Sequence, residues 1–220
     1  MENQLQQSAQ RKKGKFIAFE GIDGSGKSTQ VQLLTKRLKE NHIDCYATME
    51  PTHAPIGTYL REILMGRRKA DPRVTAFLFA ADRLDHLLNE ENGIAAKVSG
   101  GTTVITDRYY FSSYAYHSGD MPMDQVIRIN EQSQEILRPT VTVFIDIDAD
   151  TAMERILRNR DHQELFEKKS KLAEVRLNYF EAFDKLKDTE EIIVVNGNGT
   201  PEEIAEDIWD ACKHHFPLRL

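Results

Sequence analysis

Short apolar runs alternate with longer amphipathic stretches along the whole chain. Residues 15–20, Lys-Phe-Ile-Ala-Phe-Glu, have the length and composition of a buried strand. Residues 28–40 follow, with Val31, Leu33, Leu34 and Leu38 on one helical face. The same alternation predicts a strand over 43–49, stopped by Glu50-Pro51-Thr52, and a short helix over 56–65. Asp71-Pro72 reads as a capped helix start, running through Phe77, Phe79, Arg83 and Leu87-Leu88 to a break at Asn92-Gly93. A strand over 102–106 ends in Asp107-Arg108. Later come a helix over 124–137, a strand over 141–147 and a helix over 151–158. A charged stretch at 159–171 leads to a helix over 172–186, a strand over 192–195 and a last helix over 201–214. Five strands with helices between them predict an α/β fold, a five-stranded parallel sheet flanked by helices on both faces. In such a sheet functional groups gather beyond the carboxyl ends of the strands. Four segments fall there: the glycine loop after strand one, Glu50, Asp107-Arg108 and the Asn196 loop.

The loop after the first strand carries the sharpest signal. Gly21-Ile22-Asp23-Gly24-Ser25-Gly26-Lys27-Ser28 fits G-x-x-x-x-G-K-[ST], the phosphate-cradling P-loop, between the strand and helix that the motif requires. Its glycines let backbone N–H groups curl around an anion, and the following helix adds its positive end. The stretch from Gly21 to Ser28, with Thr29 after it, is the expected ATP-binding segment. Lys27 should reach the β- and γ-phosphates, and the Ser28 hydroxyl should hold Mg²⁺. Asp107, closing an apolar strand, is a second oxygen donor for the metal or its water, or else a helix cap. Arg108 next to it can grip phosphate in a bidentate fork; the alternative is an ion pair with a core carboxylate.

Composition narrows the setting. A chain of 220 residues, 40% hydrophobic and 29% charged, can bury a full core. A net charge of −6 gives no support to nucleic-acid binding through a basic surface. No apolar run approaches a membrane span, the start lacks an apolar signal core, and the two cysteines show no metal or disulfide spacing. The expectation is a cytoplasmic protein with no membrane or nucleic-acid partner. Residues 1–14 read as a flexible polar tail, and 15–220 as a single domain.

Asp107-Arg108-Tyr109-Tyr110-Phe111-Ser112-Ser113-Tyr114-Ala115-Tyr116 is a second long signature. Together with the P-loop, the Phe79-Ala80-Ala81-Asp82-Arg83 stretch and the Glu50-Pro51 corner, it resembles the thymidylate kinase family of P-loop nucleoside monophosphate kinases, over 16–215. The resemblance implies transfer of the γ-phosphate of ATP to dTMP, giving dTDP for dTTP synthesis, with Mg²⁺ as cofactor. It implies Lys27 and Arg108 as catalytic groups and Ser28 and Asp107 as metal-holding groups. It places Phe79 on the thymine face, Arg83 at its polar edge, Arg108 on the acceptor phosphate and Asp23 on the sugar 3′-OH. Tyr116 lies under the deoxyribose, Ser112 and Ser113 line the pocket, and Glu50 belongs to the same dTMP set. A homodimer is also implied.

Some members place an arginine where this chain has Gly24; others carry basic residues in a mobile lid. Gly24 points to the second style, with a lid at about 155–171 containing Arg155, Arg158 and Arg160, of which Arg158 is the expected catalytic one. Met49, His117 and the absence of a D-R-x-E signature in 161–168 depart from the family pattern. Two rival readings remain at this point. One is a deoxynucleoside kinase using Glu50 as base on a 5′-OH, and the other a nucleotide-binding regulatory protein without turnover.

Overall fold

The computed structural model describes residues 13–156 and 163–217, with side chains 163–168 outside that description. Five strands form one parallel sheet: β1 (Phe16–Glu20), β2 (Cys45–Met49), β3 (Thr103–Asp107), β4 (Val141–Asp146) and β5 (Ile192–Asn196), in the order β2-β3-β1-β4-β5. The α/β expectation is therefore met. The chain reverses direction across the sheet at β1, which pairs with β3 on one side and β4 on the other. That is the switch point at which open α/β sheets bind ligands.

Strand alternation divides the core. Phe16 and Ala18 point to one face, where they join Val104, Phe144 and an aromatic group including Tyr109, Tyr110, Phe111, Tyr114, Tyr179 and Phe183. Ile17 and Phe19 point to the other, against Val31, Leu34, Leu38, Ile204, Ile208 and Trp209. The second face is covered by α1 (Lys27–Glu40) and α10 (Pro201–Cys212). Thr200 starts α10 with a reciprocal capping box to Glu203.

The first face is covered by α3 (Pro72–Leu88), on which α2 (Pro55–Leu64) packs, and by α4 (Ile94–Ser99), α5 (Tyr110–His117), α6 (Met123–Ile129), α7 (Glu131–Ile136), α8 (Ala149–Ile156) and α9 (Gln163–Leu186). Asp71 caps α3 as expected, accepting from the Arg73 N–H at 2.9 Å. Three elements differ from the sequence reading. The helix expected over 172–186 already begins at Gln163, within the charged stretch. The helix expected over 124–137 is two helices, broken at the buried Asn130. That side chain donates to the Val126 carbonyl at 2.8 Å and accepts from Arg83. Helix α5 has no counterpart in the periodicity reading, because its cap comes from elsewhere in the fold. Among the described residues no helix is long and apolar enough to cross a membrane.

Candidate active site

The P-loop joins the carboxyl end of β1 to α1. Gly21, Gly24 and Gly26 have φ of 149°, 83° and 93°. At Gly24 the space also requires glycine, since a Cβ there would stand 2.8 Å from the Ala152 carbonyl on α8. Lys27 lies buried inside the loop, its Nζ donating to the Ile22 carbonyl at 2.9 Å and to Ser25 Oγ at 3.4 Å. Burial, with Arg108 nearby, pulls its ammonium down to about 7, against the pull of Asp107, Asp23 and Glu20. A phosphate beside it would favour the charged form. The Ser28 hydroxyl donates to Asp107 Oδ2. A hydroxyl and a carboxylate side by side at a helix start are the hard oxygen donors that Mg²⁺ takes.

Arg108 follows Asp107 at φ 74°, the left-handed region. Its guanidinium reaches Ser112 Oγ (2.9 Å), Asp23 Oδ1 (2.5 Å), the Tyr116 hydroxyl (3.2 Å) and the Gly21 carbonyl (3.4 Å), and lies over the Tyr116 ring. Arg108 thus ties the P-loop to α5.

A cavity of about 380 Å³ opens on this side of the loop. Asp23, Phe79, Arg108, Ser112, Ser113 and Tyr116 all line it. A second cavity, about 350 Å³, opens on the other side of the loop, between Gly24-Ser25-Gly26 with Thr29 and the Gly199-Pro201 segment after β5. Arg155 borders it and donates to the Gly197 carbonyl at 2.7 Å, joining α8 to that segment. One phosphate loop therefore separates two chambers. Arg158 and Arg160 lie outside the described residues.

Glu50 and Arg83 sit behind the first cavity rather than on its wall. Arg83 is 1% exposed. Its Nε donates to Glu50 Oε2 at 2.8 Å, Nη1 to Ser113 Oγ at 3.0 Å and to Asn130 Oδ1, and Nη2 to the Tyr109 carbonyl at 3.1 Å. His86 Nδ1 lies 3.2 Å from Glu50 Oε1, and Thr48 holds the other His86 nitrogen at 2.7 Å. Glu50-Pro51 is a cis peptide bond. Just beyond it Asp82 accepts from the Thr52 N–H (2.7 Å) and hydroxyl (2.6 Å), fixing the corner to α3.

Sequence reasoning passed over Glu20. It ends β1 fully buried. Oε1 accepts from the N–H groups of Tyr109 (2.9 Å) and Ser112 (3.1 Å), and Oε2 from the hydroxyls of Ser112 (2.5 Å) and Tyr179 (2.9 Å). Burial pushes its carboxyl pKa up, against the pull of these bonds and of Arg108. It caps α5 from across the sheet, filling a place for which Tyr109 offers no side-chain cap. Through Ser112 it also orients Arg108. A glutamate directly before the P-loop was the available signal, but its partners lie 89 and 159 positions away.

His117 lines the cavity too, its ring 5.4 Å from that of Phe79. Burial first, then the charges of Arg83 and Lys171, pull its imidazole from 6.5 to about 4. The unfolded chain takes up that proton near pH 6.5 and the folded chain only near pH 4, so acid favours unfolding across this window. His117→Gln should remove about 2 kcal/mol of acid sensitivity by pH 5. Thermal midpoints of the two proteins at pH 7 and pH 5 check it; parallel losses would refute it.

The sequence has counterparts among known proteins. A family model described as thymidylate kinase matches residues 19–208. The chain is 38% identical over 199 residues to a protein of Pyrobaculum aerophilum named probable thymidylate kinase, covering 90% of this chain and 96% of the other. It is 31% identical over 201 residues to one of Leptospira borgpetersenii named thymidylate kinase, covering 91% and 94%. A protein of Methanocaldococcus jannaschii named probable thymidylate kinase is 38% identical over 169 residues, 76% of this chain and 80% of the other. The family model spans the P-loop, the Asp107-Arg108 corner and α5 alike, and with these relatives it shows that the chain belongs to the thymidylate kinase family.

Proposed function

We propose that this protein phosphorylates dTMP to dTDP with Mg·ATP. The observation that carries the reading is the pair of chambers divided by one P-loop, with the Arg108 guanidinium on the acceptor side. ATP enters from the chamber bordered by Thr29 and Arg155, its phosphates wrapped by residues 21–28. Lys27 meets the β- and γ-phosphates. Ser28 and Asp107 would hold Mg²⁺, which supplies charge neutralisation at the phosphates.

The acceptor lies in the other chamber. Phe79 takes the thymine face, Tyr116 the deoxyribose and Asp23 the 3′-OH, while Ser112 and Ser113 form the wall. Arg108 grips the acceptor phosphate, whose oxygen attacks the γ-phosphorus as the bond to the β–γ bridging oxygen breaks. Such a transfer needs positioning and positive charge more than covalent help from the protein. We assign Glu50 and Arg83 to shaping the pocket from behind, with Arg83 reaching the base side at Ser113. We read 15–220 as one kinase domain, with the lid assigned to about 155–171. The homodimer belongs to the same reading and rests on the family resemblance, whereas the cytoplasmic location rests on the composition; sedimentation of the purified chain tests the first.

A deoxynucleoside kinase would need a free base for the 5′-OH. The Glu50 carboxylate is instead held by Arg83 and His86. The deciding assay is ADP release from Mg·ATP with dTMP, dUMP, other nucleoside monophosphates or thymidine. dTMP should be the best acceptor and thymidine inert. Phosphorylation of thymidine but not dTMP would overturn the reading, and nucleotide binding without turnover would favour a regulatory protein.

A further inference from the structure

We propose that Glu191, His214 and His215 bind one divalent transition cation of the zinc class at the end of the sheet opposite the P-loop. Glu191 immediately precedes β5, whereas the P-loop leaves the carboxyl end of β1. In a parallel sheet those lie at opposite ends of the strands, so this site is separate from the phosphate chemistry.

The donors converge. His215 Nε2 lies 2.9 Å and His214 Nε2 3.8 Å from the same Glu191 Oε1, and all three donor atoms fall within 4.8 Å of one another. Tetrahedral zinc, with bonds of about 2.0–2.2 Å, sets its donors roughly 3.3–3.5 Å apart. The separations of 2.9 and 3.8 Å bracket that spacing, so a cation enters by spreading one pair and closing another.

The supports are ordered. The Glu191 carbonyl accepts from the Thr142 N–H at 2.8 Å, anchoring it to β4. The two histidines stand on a 3₁₀ turn, Lys213–His215, at the end of α10. Phe216 closes that turn through its N–H to the Lys213 carbonyl and stacks on Trp209 at 5.9 Å. The imidazole rings pack with centroids 4.0 Å apart.

Two imidazoles and one carboxylate suit zinc, cobalt or nickel, whereas Mg²⁺ prefers oxygen alone. Three protein donors leave one position open. Both histidines border a cavity of about 760 Å³, which gives a water room to fill it. Bound metal would join the end of α10 to the edge strand β5.

The test uses the full-length, tag-free chain without nucleotide. Calorimetric titration with ZnCl₂ should show one equivalent, with Kd on the order of micromolar. Co²⁺ should give the visible absorption of a tetrahedral site, and ZnCl₂ but not MgCl₂ should raise the thermal midpoint. His214→Ala and Glu191→Gln should each weaken zinc binding by about tenfold or more. Both side chains are at least half exposed, at 62% and 50%, so the folded state survives each change. Kinase turnover with Mg²⁺ should stay the same in both variants. Zinc binding weaker than about 1 mM in the parent chain, or unchanged in the two variants, would overturn the proposal.

Discussion

Arg108→Ala should lower kcat/KM for dTMP about a thousandfold while leaving the KM for ATP near its starting value. The effect is large because the guanidinium is held in place before substrate arrives. Ser112 and Asp23 fix its two ends at 2.9 and 2.5 Å, and the Tyr116 ring lies beneath it. Removing one preorganised donor aimed at developing charge costs about 10²–10³ in rate, and Arg108 offers a fork rather than a single donor. Arg108→Lys should recover only part of the loss, since an ammonium supplies charge without the planar pair of N–H groups. Stability is expected to fall less than in Arg83→Ala below, because the facing Asp23 side chain is 53% exposed and returns to water, while Glu20 keeps its hydrogen bonds from Tyr109, Ser112 and Tyr179. A loss below about tenfold would remove Arg108 from the transfer step.

Arg83→Ala is expected to act through stability instead. The side chain is buried among Glu50, Ser113, Asn130 and the Tyr109 carbonyl. Truncation leaves the Glu50 carboxylate buried without its cation, and breaking such a pair costs about 3–5 kcal/mol. For a chain of this size the thermal midpoint should drop by roughly 6–20 °C. Replacing both partners, as Arg83→Met with Glu50→Gln, should be milder than Arg83→Ala alone, because no charge is then stranded. If the single and double variants melt together with the parent, the ion pair contributes nothing to the fold.

The two outcomes separate arginines that the sequence presents alike. Both follow an apolar stretch, and both fall in family-like motifs. Only the fold shows that Arg108 faces a chamber while Arg83 stands behind its wall. The sheet, the P-loop and the Asp107-Arg108 corner were legible because strand periodicity and glycine spacing are local. Helix α5 was not. Its run of aromatic residues has no helical stripe, being buried nearly all round, and its cap is the distant Glu20. The break at Asn130 was hidden for a similar reason, since the residue serves Arg83 from another helix. Arg158, expected from the lid, falls outside the described residues.

The left-handed backbone at Arg108 sets a limit on how stable this architecture can become. A non-glycine residue at φ 74° holds a conformation that costs about 1–2 kcal/mol. Glycine would release that strain and leave the corner without its guanidinium. Glycine would also give up the contacts that tie the P-loop to α5, so a search for heat tolerance that keeps turnover has to find its stability elsewhere.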